Sequence, residues 1–278
     1  MGFAVLALLG ATSWGVGDFL GGLASRRIAV LAVLAISQAI GLAGVVLWVV
    51  LAGDPFPGVR EVLPAAAAGV AGVVGLGALY RGLAIGAMGI VAPISAASPV
   101  VPLTVDAARG ITPALLQWVG VALVLTGIVT LSREPGGVGR QRVAAGAGLA
   151  LVAALGFGSF VVGIDAGSDE SAPWAVVAAR SASVSLALVA ILFTSASLRV
   201  PRNVLPLLVG VGAFDTGANV CVALATTEGA AGIVAVLSAL YPVVTIVLAR
   251  IVLAERLSRP RRVGGVVALA GAALVAAG

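Results

Sequence analysis

The chain has 278 residues, of which 61% are hydrophobic and only 10% charged, and its mean hydropathy is +1.20. Soluble domains carry about 25% charged residues, so this composition excludes an ordinary water-soluble protein. The formal charge of +5 is the difference between sixteen basic residues, all of them Arg, and eleven acidic residues. Because these arginines fall mostly in short segments between apolar runs, we interpret them as membrane-topology signals rather than as a nucleic-acid site.

Apolar stretches long enough to cross the hydrocarbon core as helices follow one another along the chain. No series of alternating ten-residue segments, the pattern of a membrane barrel, is present. We therefore predict an all-α polytopic membrane protein of the bacterial cytoplasmic membrane. Its ten predicted spans cover residues 3–23, 28–52, 61–80, 85–106, 112–131, 143–164, 173–196, 203–224, 229–251 and 260–277.

The chain repeats itself. Residues 89–101 (GIVAPISAASPVV) return 143 positions later as residues 232–244 (GIVAVLSALYPVV), with nine of thirteen positions identical. Such self-similarity predicts two related units. In spans 1 and 6, Gly15, Gly17 and Phe19 match Gly156, Gly158 and Phe160 at a spacing of 141. We place the first five-helix repeat at 1–137, the second at 138–278, and the linker at about 132–142.

Five spans in each half is an odd number, so the second half enters the membrane from the opposite face and the repeats are predicted to be inverted. Thirteen of the sixteen arginines fall in the loops after spans 1, 3, 5, 7 and 9 or within three residues of those loops. By the positive-inside rule this face is cytoplasmic, which predicts that both termini lie outside the cell.

Ionisable side chains within spans indicate functional sites because a charge at the centre of a spanning helix costs roughly 2.5–3.5 kcal/mol. Trp14 and Asp18 in span 1 are four residues apart and share a helix face, as do Asp215 and Asn219 in span 8. Arg180 in span 7 corresponds to Gln38 in span 2.

The repeat also carries polar residues in spans 4 and 9. Ser95 and Ser98 correspond to Ser238 and Tyr241, and prolines at matched positions are expected to kink both helices toward a cavity. Asp106 continues the polar face of span 4, but it lies near a helix end beside Arg109, which favours a structural role.

Asp18 and Asp215 have no acidic counterparts, since the repeat places Ser159 and Gly72 at the matching positions. A scaffold role would be shared by both halves, so an acid that occurs in one half only is better explained by a role in a single functional site. Each carboxylate could carry a coupling proton, or it could stay ionised and pair with a cationic group of the substrate or with Arg180. The structural alternative is an acid that is hydrogen-bonded between helices and never contacts substrate.

Enzymatic and metal-binding functions find no support in the sequence. It contains no His and only one Cys, Cys221, so a transition-metal site is not expected. No phosphate-binding loop and no nucleophile motif of the GxSxG type is present. We expect no cofactor and no catalytic residues.

The segment from Ser238 to Val275 resembles the carboxy-terminal part of the drug/metabolite transporter superfamily, in particular the EamA-type permeases. Those proteins have a Pro-containing span, a Gly-Glu-Arg-Leu-like turn, here residues 254–257 (AERL), and a Gly-rich last span. Residues 14–22 (WGVGDFLGG) are similar to first spans of that family. The resemblance implies ten spans around a central cavity, secondary transport, and often efflux of amino acids, metabolites or drugs. It also implies cytoplasmic termini, opposite to the arginine count.

The sequence therefore predicts a secondary transporter that exports a small organic solute, with proton coupling as one option. A passive channel and a non-transporting membrane scaffold remain the alternatives. The expected partners are a small-molecule substrate and the lipid bilayer, not nucleic acid, and the chain is expected to act as a monomer or homodimer. The candidate substrate-binding residues are Trp14, Asp18, Tyr80, Ser95, Ser98, Arg180, Asp215, Asn219, Ser238 and Tyr241.

Overall fold

The computed structural model describes residues 2–84, 94–95, 97–132, 140–194, 199–253 and 258–278, and within these ranges all regular structure is helical. The helices are α1 Gly2–Ser25, α2 Val30–Ala52, α3 Val59–Ala84, α4 Val100–Ala108, α5 Leu115–Ser132, α6 Arg140–Gly167, α7 Ala172–Thr194, α8 Leu205–Glu228, α9 Ala231–Ser238, α10 Tyr241–Val252 and α11 Arg259–Ala277.

Most of the predicted spans are confirmed as helices. In the described part of the chain, eight helices are long and apolar enough to cross a membrane, and Leu115–Leu131 is a shorter apolar helix. The ninth span consists of α9 and α10, which meet at a turn just before Pro242, a residue that cannot donate a backbone hydrogen bond. Residues 85–93 and 96 of the fourth span lie outside the described residues, as does the turn at 254–257.

Helix packing follows the two halves. In the repeat, α6 is the counterpart of α1, and α3 is the counterpart of α8. The helix α1 packs along α8, and α6 packs along α3 in the same way. Two further pairs, α2 with α7 and α5 with α11, join equivalent helices of the two halves. The second half thus repeats the contacts of the first with the partners exchanged, so the centre of the molecule lies between the halves.

Close backbone contacts fix the register of the repeat. A Cβ on Gly15 would lie 2.7 Å from the carbonyl oxygen of Tyr241, and a Cβ on Gly158 would lie 2.5 Å from that of Ser98. Because Ser98 and Tyr241 are 143 residues apart, Gly15 and Gly158 are counterparts at the same spacing. The spacing of 141 predicted for this span is therefore wrong by two residues. The sequence pattern matched Gly15 with Gly156, whereas the close backbone contacts show that Gly158 has the equivalent position.

Contacts between helix ends define two faces of the molecule. At the Arg109 face, the Arg109 guanidinium pairs with Asp165 at 3.1 Å, and Trp174 donates from Nε1 to the Asp54 carbonyl at 3.1 Å. The Arg26 face holds the α1–α2 turn, where Ala24 packs in a cluster with residues at the start of α8. The helix α1 begins at the Arg109 face, because Phe3 contacts Gly229 there, whereas α6 ends at this face.

The pair α5 and α11 depends on glycines for its close approach. A Cβ on Gly127 would lie 2.7 Å from both the Ala268 Cα and the Gly264 carbonyl oxygen. Backbone atoms cannot move aside as the end of a flexible side chain can. The helices therefore pack at a distance that only a residue without a side chain allows, as is common between membrane helices.

We predict that Gly127→Ala lowers the thermal unfolding temperature of the purified protein, by the equivalent of about 1–3 kcal/mol of overpacking. Gly44→Ala is the matched control, since a Cβ on Gly44 would meet nothing within 4 Å. Its expected effect is about 0–1 kcal/mol in the stabilising direction, from the higher helix propensity of Ala. Equal unfolding temperatures for the two variants would contradict the packing described here.

Candidate functional site

A cavity of about 530 Å³ lies between the two halves. Residues of α1, α2, α3, α6, α7, α8, α9 and α10 line it, together with Ser98. Ser25 and Val30, on either side of the α1–α2 turn, belong to this lining, so the cavity extends to the Arg26 face. The described lining residues include none of the side chains that join helix ends at the Arg109 face. The lining that the structure describes therefore reaches the Arg26 face and not the Arg109 face.

An ion pair between α7 and α8 forms one wall. Arg180 Nη2 lies 2.7 Å from Asp215 Oδ2, and the Arg180 side chain is only 4% exposed whereas that of Asp215 is 33% exposed. Asp215 is therefore the partner of Nη2, whereas the buried Nε of Arg180 has no hydrogen-bond partner. The pair compensates the buried charge, and one buried donor nitrogen remains unused.

Asp18 is the second carboxylate of the cavity. It lines the cavity and is exposed to it. Among the described residues it forms no hydrogen bond or ion pair, unlike Asp215. The structure therefore presents one compensated and one uncompensated carboxylate in the same space.

Aromatic side chains form the apolar part of the lining. Trp14 donates from Nε1 to Asn219 Oδ1 at 3.0 Å, which fixes the indole between α1 and α8. Its ring lies 6.4 Å from that of Phe160 and 6.3 Å from that of Tyr241, the latter pair nearly perpendicular at 78°. These are favourable edge-to-face separations, and they bring rings from both halves together.

Gln38 is a cavity residue that the candidate set did not include. It is buried at 7% exposure, lines the cavity beside Ser37, and its Oε1 has no hydrogen-bond partner. Its signal in the sequence was its position as an amide inside the second span, at the repeat position of Arg180. Phe157 and Phe160 also line the cavity, but in the sequence they resemble other apolar residues of α6.

Eight of the ten candidate residues line the cavity: Trp14, Asp18, Ser98, Arg180, Asp215, Asn219, Ser238 and Tyr241. Ser95 is buried and is not among the lining residues. The side chain of Tyr80, at the end of α3, lies outside the described part of the structure. Ser238 also donates to the Ala7 carbonyl at 3.4 Å, a contact that joins α9 to α1.

Asp106 lies away from the cavity lining and has a structural contact. Its Oδ2 accepts a hydrogen bond of 2.6 Å from the backbone N–H of Gly232, in the first turn of α9. A carboxylate at this position satisfies a free amide and interacts favourably with the positive end of the helix dipole. Arg109 pairs with Asp165 rather than with Asp106.

The sequence model of the EamA-like transporter family matches the chain twice, over residues 2–133 and 144–277. The chain belongs to the EamA-like transporter family. It is thus a multi-pass membrane protein of a transporter family, not of an enzyme family.

Solved structures share the fold of this family member. Twenty-four solved chains match it, and one, titled only as the crystal structure of a protein, has a TM-score of 0.80. Its sequence is 17% identical, and the match covers 98% of this chain and 95% of the other. At that identity the likeness concerns the fold alone. No curated protein matches the sequence.

Metal binding has no structural basis in the described residues, where no group of three His, Cys, Asp or Glu side chains is placed to hold an ion. The chemistry that the cavity offers is recognition of a solute by charge, hydrogen bonds and aromatic surface.

We predict that Asp215→Asn destabilises the protein by about 1–3 kcal/mol, because it leaves the buried Arg180 without its counter-charge. The effect stays below the ~3–5 kcal/mol of a fully buried pair because Asp215 is partly exposed. Asp165→Asn, which removes the partner of the more exposed Arg109, is the control and is expected to cost about 0–1 kcal/mol. Unfolding in detergent measures both, and a larger loss for Asp165→Asn would contradict the prediction.

Proposed function

We propose that the protein is a secondary transporter that carries a small organic solute out of the cell by alternating access. The observation that supports this most directly is the central cavity, which lies between two halves and opens at one face. Its volume of about 530 Å³ falls within the ~300–1,000 Å³ of small-molecule sites. Aromatic rings, amide groups and charges converge in it, as solute binding requires.

The proposal includes inversion of the two halves. The contacts of the helix ends support it, since α1 begins at the Arg109 face and its counterpart α6 ends there. Inverted repeats offer two related conformations, in which one half rocks against the other around a fixed midplane site. In the second conformation the Arg26 face closes and the Arg109 face opens.

Export requires a conformation in which the cavity opens to the cytoplasm. The cavity extends to the face that holds the α1–α2 turn with Arg26 and Arg27, and the positive-inside rule predicts that this face is cytoplasmic. A solute can then load from the cytoplasm in the conformation described here.

The two alternatives fit the cavity less well. A passive channel requires a polar path through the whole protein, whereas the described lining of this cavity reaches one face. A non-transporting scaffold predicts polar groups that pair among themselves around a filled centre. Here the centre is open, and Asp18 lines it without a hydrogen bond or ion pair among the described residues.

Proton coupling through Asp18 or Asp215 predicts a defined transport result. The tightest ligand from a thermal-shift screen is reconstituted with the protein in proteoliposomes, and a pH gradient is expected to accelerate its uptake. Asp215→Asn is expected to reduce the gradient-driven component roughly tenfold or more. Asp169→Asn, at an exposed loop position, is expected to leave it unchanged. Uptake that ignores both the gradient and Asp215→Asn would exclude the coupling.

Orientation predicts labelling from one side. In a Cys221→Ser background, Asp169→Cys lies at the Arg109 face and Ala29→Cys at the Arg26 face, both at exposed positions. With intact cells, a membrane-impermeant maleimide is expected to label Asp169→Cys directly and Ala29→Cys only after permeabilisation. The reverse pattern would place the termini in the cytoplasm.

A further inference from the structure

We propose that the preferred ligand of the cavity is an organic monocation: an amine with an aromatic body and a neutral oxygen. Its ammonium group pairs with Asp18, and its oxygen accepts a hydrogen bond from the unused Nε of Arg180. This inference rests on the proposed function in taking the cavity as the transport site, and it names the chemical class that the site selects.

The first argument is charge. Three charged side chains are found among the described lining residues, namely Asp18, Arg180 and Asp215. Arg180 and Asp215 compensate each other at 2.7 Å, which leaves the carboxylate of Asp18. An uncompensated charge surrounded by apolar helices is costly, and its attraction for an opposite charge is stronger than in water. A ligand with one positive charge neutralises the cavity, whereas a zwitterion leaves it negative and an anion makes it more so.

The second argument concerns the unpartnered polar atoms. Arg180 and Gln38 are both more than nine-tenths buried and line the cavity, and neither Arg180 Nε nor Gln38 Oε1 has a hydrogen-bond partner. A buried polar group without a hydrogen bond costs about 1–3 kcal/mol, so a ligand group that satisfies these atoms gains affinity. The guanidinium donates only, which calls for an oxygen. That oxygen is neutral, since Asp215 already supplies the negative charge at Arg180.

The third argument is the position of the aromatic rings. Trp14 precedes Asp18 by four residues, so both side chains extend from the same face of α1. The indole is held by Asn219 and contacts the rings of Phe160 and Tyr241. Aromatic faces beside a carboxylate favour an ammonium group, and the adjoining rings favour an aromatic body.

A set of four ligands with the same phenyl body tests the charge rule on the purified wild-type protein. Phenethylamine carries one positive charge, phenylalaninol adds a neutral oxygen, phenylalanine is a zwitterion, and 3-phenylpropionate is an anion. Isothermal titration is expected to give the tightest binding for phenylalaninol, then phenethylamine, and binding at least tenfold weaker for the other two. Equal or tighter binding of phenylalanine or 3-phenylpropionate, or no binding of either amine, would overturn the proposal.

Two variants assign the contacts. Asp18→Asn is expected to weaken both amines at least tenfold and to remove the preference over phenylalanine, whereas Asp169→Asn makes the same chemical change at an exposed loop and leaves all affinities unchanged. Gln38→Ala is expected to weaken phenylalaninol about fivefold and phenethylamine not at all, because only the former has a hydroxyl that can donate to Gln38 Oε1. If Asp18→Asn does not fold, the order of the four ligands on the wild type decides.

Exchange of the same four compounds across proteoliposomes separates this proposal from the transport function. Amines that bind in the expected order without being exchanged would leave the ligand class standing and contradict transport. Exchange of phenylalanine or 3-phenylpropionate in preference to the amines would leave transport standing and overturn the ligand class.

Discussion

The ion pair between Arg180 and Asp215 is the contact on which the rest of the site depends. A charge among apolar helices must be compensated, and here the buried guanidinium has a carboxylate at 2.7 Å on the next helix. The pair also defines the chemistry of its surroundings. Asp215 neutralises the positive charge of Arg180, so the second carboxylate, Asp18, faces the cavity without a partner among the described residues.

Symmetry and its violation have separate roles in this protein. The pair α6–α3 repeats the contact of the pair α1–α8, and the close approach of Gly158 to Ser98 repeats that of Gly15 to Tyr241. The ion pair lies entirely in the second half, whereas the first half has Gln38 and Gly72 at the matching positions. The common scaffold therefore surrounds the cavity, and the differences between the halves give it charge.

The two faces of the molecule differ in how their helix ends are joined. At the Arg109 face, polar contacts join helix ends: Arg109 with Asp165, and Asp106 with the start of α9. At the Arg26 face, the cavity reaches the α1–α2 turn. Because α9 ends at lining residue Ser238 and begins at the amide that Asp106 binds, this short helix connects the joined face to the site.

The sequence by itself determined the class, the repeat and most of the polar residues of the cavity. Hydropathy over twenty residues and identity at a fixed spacing can both be read directly along the sequence. A charged residue within a span, such as Asp18 or Arg180, can also be recognised without a structure. Only the tertiary structure decided the register of 143 residues in the first span, the contact of Asp106 with Gly232, and the importance of Gln38. These depend on which helix faces meet and on which buried atoms are left without a partner, and no pattern along the chain encodes that.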